Sequence, residues 1–123
     1  MLIEHLSLAR VASFILAAAG APTDHAEAVA QHLVEANLKG HDSHGVGMIP
    51  SYVKGMLDQQ VDPNRHAQII KDNNAIVSID AGTGLGRVVG IEAMDIGIGR
   101  AQKYGVACVA LGNAAHLGRI GAF

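Results

Sequence analysis

Apolar residues recur at helical spacing through the first half of the chain and at strand spacing further on. Leu6, Val11, Phe14, Ile15 and Leu16, with Glu4, Ser7, Arg10 and Ser13 between them, predict an amphipathic helix from about Ser7 to Ala19. Gly20 permits the left-handed turn that stops a helix, and Pro22 prevents its resumption. Asp24 and Glu27 have capping-box spacing, and Val29, Leu33 and Ala36 with Ala30 and Val34 predict a second helix that Gly40 closes. After a loop holding His41 to His44, Pro50 suits the first turn of a third helix running to about Leu57.

From Ala67 the period becomes strand-like. Gln68–Asp72 and Ala75–Asp80 predict a hairpin through Asn73-Asn74, residues that tolerate positive φ. A glycine-rich turn, Gly82 to Gly86, leads to a helix from about Arg87 to Tyr104, then a buried strand Val106–Leu111 and a loop Gly112–Gly118. Helix and strand together are half of a β–α–β arrangement. Ile120 to Phe123 read as the opening of a further helix, and a sheet this small leaves unpaired edges, so the chain is expected to be the N-terminal portion of something larger. The fold class is α/β: a helical unit over residues 1–66, then the start of a mixed-sheet α/β domain over 67–123. Gly90, Ala93, Gly97 and Ala101 leave one face of the long helix without bulk, which suits close packing on the sheet or, alternatively, a subunit contact.

Composition narrows the functional classes. Half of the 123 residues are hydrophobic and 16% are charged, a balance that builds a core. A net charge of −2, nine scattered Lys and Arg, and only two Phe and two Tyr argue against nucleic acid as a partner. The apolar stretch Val11–Ala19 falls short of the ~18 residues a membrane span needs. Ala19-Gly20-Ala21 resembles a secretory cleavage site, but Glu4 stands where a positive residue belongs. The single Cys108 suits a reducing compartment, so the expected location is cytoplasmic.

Reactive side chains concentrate in two segments. Lys39 to Tyr52, KGHDSHGVGMIPSY, places Asp42, Ser43 and His44 at a helix junction, where a histidine can give or take a proton near neutral pH. In an extended loop these neighbours point apart, so a relay needs a local turn or a partner elsewhere. Leu111 to Gly121, LGNAAHLGRIG, follows a strand carboxyl end, a place where ligands collect, and free amides from Leu117 to Ile120 with Arg119 nearby would attract an anion. The glycines at 82, 84 and 86 do not match the dinucleotide fingerprint. His41 and His44, three apart, lack the further ligands zinc needs, so no metal site is expected.

LVEANLKGHDSHGVGMIPSYV, then GLG before a helix, then GVACVALGNAAHLGRIGAF together resemble the type-2 malate/L-lactate dehydrogenase family, in its hydroxycarboxylate dehydrogenase or hydroxyphenylpyruvate reductase branch. The resemblance implies an NAD(P)-dependent 2-hydroxyacid oxidoreductase, of which this chain is the N-terminal third, with a cofactor domain of non-Rossmann type. It implies His44 as proton donor to the substrate carbonyl, Ser43 as its supporting hydroxyl, and His116 as the histidine beside the nicotinamide of NAD or NADP, with an acid/base part. Leu117, Gly118, Arg119 and Ile120 then match the backbone stretch along the cofactor. The implied partners are a small 2-oxo or 2-hydroxy acid and a second copy of the chain. The arginine that many members carry four residues after the first histidine is Met48 here. Methionine cannot bind a carboxylate bidentately, so either Arg119 or a cation elsewhere would take it or the substrate is held differently, and Met48 would offer an apolar wall. The alternative expectation is a truncated, catalytically silent structural or dimerisation fragment of such an enzyme.

Overall fold

The computed structural model describes residues 2–123. Three helices come first: α1 (His5–Ala18), α2 (Thr23–Leu38) and α3 (Ile49–Leu57). The Glu4 carboxylate caps α1, accepting from the Leu6 and Ser7 amides at 2.9 and 2.6 Å. The expected capping box at Asp24 does not form. Pro22, with φ −52°, already has the dihedral that opens a helix, so α2 begins at Thr23 and Asp24 lies inside its first turn, where a carboxylate suits the helix dipole.

The hairpin is β1 (Gln68–Asn73) and β2 (Ile76–Asp80), antiparallel, turning through Asn74 at φ 57°. Helix α4 (Gly86–Tyr104) ends at Gly105 in the left-handed conformation and feeds β3 (Cys108–Gly112), which pairs parallel with β2. The sheet order is β1-β2-β3. The small face of α4 packs closely within this chain, Gly97 on the sheet and Gly90 on the C-terminal segment. A Cβ at Gly97 would lie 2.9 Å from Val109 Cγ2, and one at Gly90 would lie 2.7 Å from the Phe123 ring. One expectation fails here: β3 is not buried, because β2 covers one edge and only alternate residues are shielded by α4. Residues 120–122 form a single 3-10 turn.

One core joins the helices to the start of α4. Ala12 and Leu16 of α1, Val29 and Leu33 of α2, Tyr52 and Met56 of α3, and Leu85 and Val88 pack together. Leu16, Leu33 and Leu85 are fully buried, each favourable by about 1.5–3 kcal/mol over exposure. His25 Nδ1–H donates to the Pro63 carbonyl at 2.8 Å, tying α2 to the segment before β1. Val46, Met48 and Ile49 pack against this core, which places the α2–α3 junction beside the start of α4.

Candidate functional site

The α2–α3 junction is not extended. Residues 42–44 and 46–48 form successive 3-10 turns, and that local winding brings Ser43 Oγ to 2.9 Å from His44 Nδ1. The junction is clamped by Asn37 of α2, whose Oδ1 accepts from the Val46 amide at 2.8 Å and whose Nδ2 donates to Asp42 at 2.6 Å. Gly45 makes room for this clamp, since a Cβ there would overlap the Asn37 amide and displace it. His41 turns to the Lys39 carbonyl at 3.0 Å and takes no part. Among the described residues no three His, Cys, Asp or Glu side chains converge as a metal site.

The loop after β3 is laced to the glycine turn. Thr83 N–H donates to the Asn113 carbonyl at 2.8 Å, and Ala115 N–H to the Gly84 carbonyl at 3.0 Å. Gly86 lets the chain cross the first turn of α4, because a Cβ there would lie 2.6 Å from the Ala115 carbonyl and collide with that of His116. Gly86 therefore serves a close backbone crossing, while Gly82 and Gly84 lie against the Arg65 side chain.

The crossing sets His116 against the junction. Its ring stacks on His44 with centroids 5.4 Å apart and planes 27° from parallel. Tyr52 of α3, 5% exposed, meets the same ring edge-on, its hydroxyl 3.1 Å from Nδ1 and 3.3 Å from the His116 carbonyl. Burial, and then the nearby His44, lower the His116 pKa below the ordinary imidazole value. Two positive rings at this separation would repel by about 1 kcal/mol in water and about 3 at an effective dielectric of 20, so a positive charge on both rings at once is disfavoured. Burial pushes the Tyr52 hydroxyl up to about 12, which keeps it neutral. Beside the rings lies a cavity of about 70 Å³ lined by Met48, Ser51, Tyr52, Val61, Ala115 and His116. A larger groove of about 550 Å³ between α1 and α2, lined by Leu6, Arg10, Phe14, Glu27 and Gln31 among others, contains neither histidine.

The following residues are pinned to α2. Gly118, at φ 76°, lies against His32, whose Nε2 accepts from the Arg119 amide at 3.0 Å. His32 is buried, which lowers its pKa, and the neighbouring Arg87 charge adds to the effect. The Arg119 guanidinium pairs with Glu35 at 3.1 Å and is only 15% exposed, so it does not stand free for a substrate carboxylate. Arg119 Nε and His32 Nδ1 are buried without protein partners among the described residues. Leu117 is half-buried toward α4 and Ile120 is exposed.

The sequence-predicted Ser43, His44, Met48 and His116 thus meet in one place, while Arg119 lies on the α2 side of the loop. Tyr52, Asn37, Gly86 and His32 were missed. Tyr52 stands at the end of the first reactive segment, four residues after Met48, a spacing that puts both on one side of the α3 entrance.

A family model for malate/L-lactate dehydrogenase matches residues 3–123. Hydroxycarboxylate dehydrogenase B of Escherichia coli O157:H7 is 48% identical over 102 residues, 83% of this chain and 28% of that protein. L-lactate dehydrogenase of Cupriavidus necator is 36% identical over 98% of this chain and 35% of its own length. Among solved structures, malate dehydrogenase from Pyrococcus horikoshii superposes with a TM-score of 0.90 at 31% identity, over 96% of this chain and 34% of that one. The chain spans about a third of the length of these relatives. On the family match across nearly its whole length, the chain belongs to the malate/L-lactate dehydrogenase family.

Proposed function

We propose that the protein interconverts a 2-oxo acid and the corresponding 2-hydroxy acid with NAD(H) or NADP(H). The observation that carries this reading is the pairing of His44 with His116, two proton-active rings brought from separate loops to 5.4 Å. The relatives' names, which include hydroxycarboxylate, L-lactate and malate dehydrogenases, support it. When bound, the cofactor supplies the hydride. Protonated His44 donates to the oxygen on which negative charge develops, and Ser43 Oγ on its Nδ1 orients the ring so that Nε2 faces the reaction. His116, neutral, has the second ring face of the site.

Residues 116–120 fit a dinucleotide in one respect. Among the described residues the N–H groups of His116, Leu117 and Gly118 have no acceptor, so they are uncommitted donors for a polar ligand, and Gly118 adds no side chain. His116, Leu117, Gly118, Arg119 and Ile120 would hold the cofactor. Met48 forms an apolar wall for the substrate side chain. For Arg119 to take the substrate carboxylate, its pairing with Glu35 has to be shared or released. The reading also takes the protein as a cytoplasmic homodimer, the compartment resting on the exposed free Cys108 and the second copy on family resemblance. Among the described residues no helix is long and apolar enough to cross a membrane.

The test is His44→Ala in the intact protein, assayed on a panel of 2-oxo acids with NADH and NADPH. Turnover is expected to fall about 10²-fold or more, with cofactor affinity by fluorescence titration nearly unchanged. Turnover equal to wild type refutes the assignment.

A further inference from the structure

We propose that Tyr52 is a positioning residue that holds His116 in the Nδ1–H tautomer and leaves Nε2 as a bare hydrogen-bond acceptor facing the site. The inference rests on the dehydrogenase reading for its catalytic consequence, but not for the tautomer itself. The Tyr52 oxygen lies 3.1 Å from His116 Nδ1 and 3.3 Å from the His116 carbonyl oxygen. A phenol has one proton to give and a carbonyl can only accept. If the hydroxyl donates to the carbonyl, its own lone pair is free for a proton from Nδ1, and all three groups are satisfied. If it donates to Nδ1 instead, the phenol and carbonyl oxygens face each other at 3.3 Å as two acceptors with no proton between them. The first arrangement therefore wins.

Tyr52 cannot escape the choice by turning to water. It is 5% exposed, held in the core with Leu33, Met56 and Leu85, and meets the imidazole at 79°. Its raised pKa keeps the proton on the oxygen through the working range. His116 itself is exposed on its other side, and its Nε2 has no hydrogen-bond partner among the described residues. Free histidine favours the opposite tautomer, with the proton on Nε2, so the contact changes what the ring presents. A division of labour follows: His44 exchanges the proton with the substrate oxygen in both directions, and His116 offers a lone pair that accepts a hydrogen bond in the site.

The experiment is long-range ¹H–¹⁵N correlation NMR on the intact protein labelled with [¹⁵N]histidine, without substrate, with His116→Gln used to assign the ring. Wild type is expected to show a protonated Nδ1 and an unprotonated Nε2. Tyr52→Phe, which keeps the ring and removes only the hydroxyl, is expected to move the proton toward Nε2 and to lower kcat about tenfold with KM for the 2-oxo acid within about twofold. A wild-type His116 with its proton on Nε2 overturns the proposal with no variant needed. So does a Tyr52→Phe protein with an unchanged tautomer, or one with a changed tautomer and undiminished kcat. Failure of the dehydrogenase reading would instead appear as absent turnover in wild type, with the NMR result intact.

Discussion

Replacing Gly45 by alanine isolates what fixes His44. The backbone there, φ −90° and ψ −162°, is extended and open to any residue, so alanine brings no backbone strain. The added Cβ instead displaces the Asn37 amide, which holds Val46 and Asp42 on either side of His44. Two hydrogen bonds at about 0.5–1.5 kcal/mol each put the cost of Gly45→Ala at about 1–3 kcal/mol. With Asn37→Ala already present, all three atoms in the way are gone, and the same change becomes neutral or stabilising by about 0.4–1 kcal/mol through the unfolded chain. The double-mutant cycle should therefore show a coupling of about 1–4 kcal/mol. Urea midpoints by circular dichroism for the four proteins measure it, and turnover on the same samples should fall in both single variants. If Gly45→Ala costs the same in both backgrounds, the Asn37 clamp is not what places His44.

Two further outcomes test the loop crossing and the buried histidine. Gly99→Ala, on an exposed turn of α4 with open space around it, should stabilise by about 0.5–1 kcal/mol. Gly86→Ala in the same helix should destabilise and abolish activity, because its Cβ meets backbone that cannot swing away; a harmless Gly86→Ala would refute the crossing. Stability should also fall in acid. His32 and His116 have pKa values below 6.5 when folded, so as pH drops below 6.5 the unfolded chain takes up protons that the folded one refuses. The loss levels off below the depressed folded values, and His32→Gln should remove part of the slope in urea midpoints between pH 7.5 and 5. An unchanged slope in that variant would show that His32 stays uncoupled from folding.

The order and limits of most elements were legible because they depend on residues within a few positions of one another. Gly20, Gly40 and Gly105 take positive φ where the helices end, and Asn74 takes it in the hairpin turn. The capping box misled because a proline next to it decided the start of α2, and β3 misled because an apolar strand is buried only if neighbours cover it. The reactive residues Ser43, His44 and His116 were visible as chemistry, but their meeting was not. Tyr52 and His116 are 64 positions apart, and no local spacing encodes a 3.1 Å contact at that range. It comes from the common core of α1, α2, α3 and the start of α4, together with a glycine crossing narrow enough to hold one backbone over another. Short-range sterics and periodicity were thus written into the sequence, while the tautomer of His116, the commitment of Arg119 to Glu35 and the stack of two imidazoles were decided by long-range packing, which alone sets distances between side chains on different elements.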